Sequence, residues 1–150
     1  MPLIGVTAHG AVNDREKFGG CKSNTVAYKD PPKASIDGAP ISPHHSHFLF
    51  IDAGKENRKA WGSEIIVRAE LEKFMTISKA VPLVLLVVQG GPGTLATVLA
   101  TAKLNCPIVI LSNSGGAATA VWRFCETGEL DPEKDKPFLN KKEQLDEIKA

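Results

Sequence analysis

The chain has 150 residues, of which 43% are hydrophobic and 23% charged, with a formal net charge of +1. This length accommodates one domain with a buried core, and the balanced charge argues against a nucleic-acid binder, which would carry a basic face. No apolar run reaches the roughly 20 residues of a membrane-spanning helix, and the N-terminus lacks signal-peptide features, so we expect a soluble, cytoplasmic domain.

The N-terminal third combines two predicted strands with a long polar segment. Residues 3–7 form a short apolar strand, and residues 47–51 form the second. Between them, residues 12–43 are rich in Gly, Pro, Lys and Asp without periodicity, which is typical of a long surface loop. Asp52 follows the second strand, where α/β sheets usually bind ligands, and it either contacts a ligand or closes its own turn.

A helix is predicted to begin near Ser63, whose hydroxyl is a suitable N-cap. Val67, Leu71, Phe74 and Ser78 recur at helical spacing and define one stripe. We expect this stripe to pack on the sheet, because an amphipathic helix buries its apolar side.

Residues 81–89 form an apolar run that ends in a glycine-rich loop. The run shows no alternation, which predicts a strand covered on both faces. Gly90, Gly91, Gly93 and Thr94 then lie where the strand passes into a helix. Unpaired N–H groups and the helix dipole at such a junction favour a phosphate or carboxylate. The alternative is a tight turn without a ligand, in which Thr94 is the N-cap.

The pattern repeats once more in the chain. Residues 107–111 form a fourth strand, residues 112–116 a second glycine-rich turn, and residues 117–126 a helix. Right-handed crossovers place both glycine-rich turns at the same edge of a parallel sheet, where they line one crevice. The remainder, 131–150, is charged and is interpreted as a solvated helical tail or a linker.

Several side-chain clusters suggest other chemistry and are rejected. His44, His45 and His47 cannot converge on one metal ion without further ligands, so we predict no metal site and no cofactor. Ser112 and Ser114 lack the surroundings of a nucleophile. The three cysteines, an odd count without a C-x-x-C pair, are expected to be buried free thiols at positions 21, 106 and 125.

Trp61 and Arg68 form a more informative pair at the start of the predicted helix. An indole stacks on a base, and a guanidinium binds phosphate with two hydrogen bonds. The alternative is a packing tryptophan and an ordinary surface arginine. The residues alone leave this choice open.

Four segments in register resemble the amino-terminal cytosolic domain of melastatin-type TRP channels (TRPM). They are HSHFLFID at 45–52, WGSEIIVRAELEKF at 61–74, QGGPGT at 89–94, and PIV at 107–109 with SG at 114–115. The resemblance covers about residues 3–125. It implies a Rossmann-like, three-layer α/β/α fold of the SLOG (LSDAT) type, with a mainly parallel sheet of about four strands in a domain spanning 1–130. The family also has an earlier strand–helix unit, and the resemblance implies that this chain begins after it.

The resemblance further implies a nucleotide site for ADP-ribose or a related nucleotide. Trp61 stands where the family has a stacking Tyr, Arg68 where it has a phosphate-contacting Arg, and the glycine-rich loop where it has the phosphate loop. Ser114 and Gly115 match the second loop, but Gly116 replaces the arginine of the family pattern. The parent protein would then be an ion channel, which is the only link to a membrane.

Catalysis is not expected from these residues. The related LOG-type hydrolases carry a glutamate that acts on the ribose carbon, and Thr97 occupies that position. Without a carboxylate, hydrolysis of an N-glycosidic bond loses its principal chemical group. We therefore predict a non-catalytic nucleotide-sensing domain. The alternatives are a LOG-like nucleoside monophosphate phosphoribohydrolase and a purely structural domain that assembles, for example as a homo-oligomer.

Overall fold

The computed structural model describes residues 2–18, 38–54 and 61–150. The chain divides into two compact units, Met1–Arg68 and Ala69–Ala150, and each contains one pair of parallel strands. Helix α1, Ser63–Lys79, begins in the first unit and ends in the second.

In the first unit, strand β1, Ile4–Ala8, pairs in parallel with β2, His47–Ile51. Phe48 and Phe50 are two residues apart in β2, so they share a face of the strand pair. Their rings stack with centroids 5.9 Å apart, and the ring of Phe18 lies 5.2 Å from that of Phe50. Aromatic packing therefore covers one face of this small sheet.

The long polar segment begins and ends inside the first unit. Val12 forms a parallel bridge with Ala39, and the Asn13 N–H donates to the Ala39 carbonyl at 3.0 Å. Val12 and Asn13 are buried. The predicted surface loop thus has a buried base, while residues 19–37, including Cys21, lie outside the described part of the chain.

The second unit alternates strands and helices around one core. Its elements are β3 (Leu85–Val87), α2 (Pro92–Lys103), β4 (Ile108–Ile110), α3 (Gly116–Thr127) and α4 (Lys142–Lys149). Strands β3 and β4 pair in parallel, with Leu85 opposite Ile108. Buried side chains from β3 and the three helices form the core, and they include Val87, Leu95, Val98, Val121, Phe124 and Leu145.

The prediction that residues 81–89 form a strand covered on both faces is wrong. Only Leu85–Val87 is a strand, and only Leu85 and Val87 are buried. Leu86, between them, is 65% exposed, because the helices of this unit that contact the strand pack on the other side. A run without alternation cannot distinguish a strand buried on one face from one buried on both.

The expected packing of α1 is also wrong. None of its 17 residues, all of which the structure describes, is buried. Val67, Leu71 and Phe74 of the predicted stripe are 41%, 43% and 50% exposed. The apolar periodicity predicts the helix correctly but not its packing. The hydroxyl of Ser63 has no hydrogen-bond partner in the described part of the chain, so Ser63 does not act as the predicted cap.

The C-terminal segment is helical, as predicted, but it is not a solvated tail. Phe138 and Leu145 are buried in the core of the second unit. Asp135, also buried, forms an ion pair with Arg123 of α3 and accepts the Asp131 N–H at 2.8 Å. The few apolar residues of this segment therefore join the core of the second unit despite its charged composition, and the ion pair connects it to α3.

Two of the three cysteines lie in this second unit as partly buried free thiols, Cys106 and Cys125. Burial raises the pKa of the Cys125 thiol above its usual value, an effect that the nearby Lys149 opposes and Glu126 reinforces. A thiol with a raised pKa is mostly protonated near neutral pH and therefore a weak nucleophile.

The structure confirms an α/β fold with parallel strand pairing. The four strands lie in the predicted regions, but they form two sheets of two strands each. A single four-stranded sheet and the three-layer arrangement stay predictions. In the described part of the chain, no helix is long and apolar enough to cross a bilayer.

Candidate functional site

The loop between β3 and α2 carries the first group of predicted site residues. Gly91 is the N-cap of α2, Pro92 is the first helical residue, and no side chain caps the helix. Thr94 therefore lies within the first turn, and the alternative prediction of Thr94 as N-cap is wrong. Its side chain packs on Gly90, where an added Cβ would lie 2.2 Å from the Thr94 hydroxyl oxygen.

Two backbone N–H groups at this helix start are candidates for a ligand contact. Among the described residues, no acceptor is found for the N–H groups of Gly91 and Gly93, whereas the Thr94 N–H donates to the Gly91 carbonyl at 2.9 Å. Gly93 is exposed, and an added Cβ at Gly91 would meet nothing within 4 Å. Open space and free donors are what an anion at a helix N-terminus requires.

The second glycine-rich turn, between β4 and α3, is held by two hydroxyl groups. The Ser114 hydroxyl donates to the Leu111 carbonyl at 2.7 Å. The Thr119 hydroxyl donates to the Ser112 carbonyl at 2.6 Å and accepts the Gly115 N–H at 2.9 Å. The hydrogen-bonding groups of this turn are therefore largely used within the protein.

The structure brings the two glycine-rich turns together. The N–H groups of Ala117 and Ala118, at the start of α3, donate to the carbonyls of Gly90 and Gln89, both at 2.9 Å. The Gln89 N–H donates to the Ser114 hydroxyl at 2.7 Å. The two adjoining turns in the second unit thus contain six predicted site residues, namely Gly90, Gly91, Gly93, Thr94, Ser114 and Gly115.

Two residues of this structure were not identified from the sequence as part of the site. Gln89 has a φ of +54°, a left-handed conformation that is uncommon for a residue with a side chain. Gly116 has a φ of +55°, and an added Cβ would lie 2.2 Å from the Gly90 carbonyl oxygen. The Gly-Gly pair at 115–116 indicates a turn in the sequence, but it does not show that this turn contacts Gly90.

Trp61 and Arg68 belong to the first unit, before and within the first turns of α1. The indole of Trp61 is 53% exposed, and Arg68 is half-buried. An exposed indole is available for stacking. Their predicted contact with a ligand held by the glycine-rich loop stays a proposal.

Asp52 closes its own turn. Its carboxylate accepts the Gly54 N–H at 2.8 Å, which is the turn-closing alternative from the sequence.

In the first unit, the His47 ring and the Ser46 hydroxyl lie within hydrogen-bond distance at 2.9 Å. Over residues 2–18, 38–54 and 61–150, no group of three or more His, Cys, Asp or Glu side chains is placed to hold a metal ion.

The electrostatics of the loops favour an anion at α2. The first turns of α2 and α3 contain no acidic residue, so no carboxylate of either helix start competes for the positive end of its dipole. Thr97, at the position of the hydrolase glutamate, donates weakly to the Gly93 carbonyl at 3.4 Å. Neither loop contains an ionisable side chain.

Comparison with known proteins identifies similar sequences. The family described as SLOG in TRPM matches residues 1–140. A transient receptor potential cation channel subfamily M member-like 2 of Nematostella vectensis is 34% identical over 131 residues, which cover 79% of this chain and 8% of that protein. The subfamily M member 2 of Mus musculus is 30% identical over 130 residues, with the same coverage.

A transient receptor potential channel of Caenorhabditis elegans is 32% identical over 124 residues, which cover 77% of this chain. The matched part spans 6% of that relative and 8% of the other two. The similarity is therefore to one small part of much longer proteins.

Proposed function

We propose a nucleotide-sensing role for this chain, which belongs to the family of SLOG domains found in TRPM channels. The proposed ligand is ADP-ribose or a related phosphorylated nucleotide, and the proposed activity is binding without catalysis. One observation carries the proposal: the N–H groups of Gly91 and Gly93 at the start of α2 have no acceptor among the described residues, and an added Cβ at Gly91 would meet nothing within 4 Å.

A phosphate fits this position because it accepts hydrogen bonds from backbone donors and is attracted by the helix dipole. Thr94, in the same turn, supplies a hydroxyl, and Gly90 supplies the tight turn that precedes these donors. Ser114 and Gly115 would form the adjoining wall, mainly through shape, since their polar groups already bond within the protein.

The remaining part of the proposed ligand is assigned to two side chains of the first unit. Trp61 would stack on a base, and Arg68 would bind phosphate. In the wider protein, the domain would be a cytoplasmic sensor that belongs to a cation channel. These assignments extend the family membership and are tested separately from the glycine-rich loop.

Isothermal titration calorimetry with ADP-ribose tests the proposal. We expect saturable heat, and Arg68→Ala should weaken binding about tenfold, as loss of a charged hydrogen bond does. Lys73→Ala is the matched control, because Lys73 is an exposed cation of the same helix. Equal weakening in both variants would mean that Arg68 contributes only positive charge and makes no specific contact with the phosphate.

Two further assays separate the alternatives. Release of adenine from AMP would indicate a phosphoribohydrolase and would contradict the non-catalytic proposal. That proposal is supported by Thr97, which stands where the hydrolases have glutamate. Light scattering after size-exclusion chromatography tests the assembly alternative. A homo-oligomer that gives no heat with any adenine nucleotide would favour a structural role.

A further inference from the structure

We propose that the N-terminal turn of α3 positions the phosphate loop without contacting the ligand, and that Gly116 is the residue that permits this. The inference rests on the proposed function, because it assigns a role to Gly116 and Ser114 at the same site. It keeps the anion on the amides of Gly91 and Gly93, as the proposed function does, and adds that α3 holds the loop that carries these amides.

The start of α3 is occupied by the protein itself. The N–H groups of Ala117 and Ala118, which a helix leaves unpaired in its first turn, donate to the carbonyls of Gly90 and Gln89 at 2.9 Å. These carbonyls stand where an anion would otherwise bind. The positive end of this helix therefore acts on a peptide group of the β3–α2 loop.

That peptide group connects α3 to the Gly91 N–H, which is the proposed hydrogen-bond donor to the phosphate. The Gly90 carbonyl and the Gly91 N–H belong to one planar trans peptide, so they point in opposite directions. Holding the carbonyl against the Ala117 N–H therefore directs the Gly91 N–H away from α3. A peptide polarised at its carbonyl is also a stronger donor at its N–H.

The close approach depends on a missing side chain at position 116. An added Cβ there would lie 2.2 Å from the Gly90 carbonyl oxygen and 3.1 Å from the Gln89 carbonyl carbon, both of which are backbone atoms. Neither can move as a flexible side chain would. A residue larger than glycine must therefore displace the loop or break the hydrogen bonds to α3.

The conformation of Gln89 supports the same interpretation independently. Its left-handed φ of +54° is unfavourable for a residue with a side chain and persists only when its surroundings hold it. Two bonds do so: its N–H donates to the Ser114 hydroxyl at 2.7 Å, and its carbonyl accepts the Ala118 N–H. Ser114 is thus a second positioning residue.

Gly116→Ala tests the inference, with Gly128→Ala as the matched control. Gly128 ends the same helix at a φ of +78°, but an added Cβ there meets only the flexible end of Lys149, at 3.8 Å. Amide hydrogen exchange by NMR on the ligand-free chain measures protection at Ala117 and Ala118 relative to Val98 in the core. We expect a loss of about tenfold or more in Gly116→Ala and little change in Gly128→Ala.

Unchanged protection in Gly116→Ala, or an equal loss in both variants, would overturn the inference. If Gly116→Ala does not fold, Ser114→Ala replaces it, with the Gln89 amide as the reporter and the same criterion. Calorimetry with ADP-ribose then measures the consequence for binding, which we expect to weaken about tenfold in Gly116→Ala and not in Gly128→Ala.

The experiments distinguish a failure of the proposed nucleotide binding from a failure of the positioning role of α3. A wild-type chain that binds no nucleotide contradicts the proposed function, while the exchange measurement still decides whether α3 holds the loop. A Gly116→Ala chain that loses protection at Ala117 and Ala118, yet binds ADP-ribose as wild type does, overturns the positioning role alone.

Discussion

The two glycine-rich turns of the second unit follow neighbouring parallel strands, yet they use their backbone groups in opposite ways. At α2, the N–H groups of Gly91 and Gly93 have no acceptor among the described residues. At α3, the N–H groups of Ala117 and Ala118 donate to the first loop. Similar sequence patterns at strand–helix junctions therefore do not show which loop keeps backbone N–H groups without an acceptor, whereas the hydrogen bonds of the described residues do.

The sharpest test of this contrast lies within the first loop. At Gly90, a Cβ would collide with the Cβ of Thr94 at 2.6 Å, and the φ is +85°; at Gly91, a Cβ would meet nothing within 4 Å. We expect Gly90→Ala to lower the free energy of unfolding by about 2–3 kcal/mol, and Gly91→Ala to change it by less than about 0.5 kcal/mol.

Urea denaturation of both variants measures this difference. Equal destabilisation at the two positions would mean that the loop is not divided into a closed part at Gly90 and an open part at Gly91.

The second loop is expected to depend on its hydroxyl groups. Thr119→Val removes the acceptor of the Gly115 N–H and the donor to the Ser112 carbonyl, so we expect a loss of about 1–2 kcal/mol. Thr97→Val, in the second turn of α2, removes only a weak contact at 3.4 Å and should cost less than about 0.5 kcal/mol. A reversed order in thermal unfolding would contradict the assignment.

Acid should affect neither loop directly, because neither contains an ionisable side chain. A carboxyl with a lowered pKa lies beyond α3, where the backbone N–H groups of Lys134 and Glu133 donate to the Asp131 side chain and lower its pKa. A lowered folded pKa gives stability that is present above the unfolded value of about 4 and is lost as the pH falls through the folded value.

Unfolding measured from pH 7 to pH 3 should therefore show a small acid-dependent loss that Asp131→Asn reduces, since the amide oxygen still accepts both bonds. Exchange protection at Ala117 and Ala118 should stay constant between pH 7 and about 5, after correction for the intrinsic exchange rate. A change in that protection within this range would indicate a titrating group that acts on the loops.

The sequence predicts the order of strands and helices because buried strands and glycine-rich turns leave strong local signals. Packing is less accessible. Phe74 and Leu71 are apolar at helical spacing and yet exposed, while Leu145 lies in a charged segment and is fully buried. Periodicity reports which face of a helix is apolar, but the neighbouring elements determine whether that face is covered.

The candidate loop itself could be located from its glycines, because a strand followed by Gly-Gly-Pro-Gly and a helix is a local pattern. The role of Gly116 could not, since it arises from a contact with Gly90, 26 residues away in the sequence. The strained φ of Gln89 likewise has no local sequence signal. Contacts between distant residues decide which loop stays open.

The proposed function places a phosphate of the nucleotide on the amides at the start of α2. Calorimetric titration of ADP-ribose into the wild-type chain and into Gly91→Val tests this, because the backbone at Gly91 is extended, a Cβ there meets nothing within 4 Å, and the valine methyl groups would occupy the proposed ligand space. We predict saturable binding by wild type and a loss of tenfold or more in Gly91→Val, with about unchanged stability. Absence of saturable heat in wild type, or equal affinity in the variant, would contradict the account.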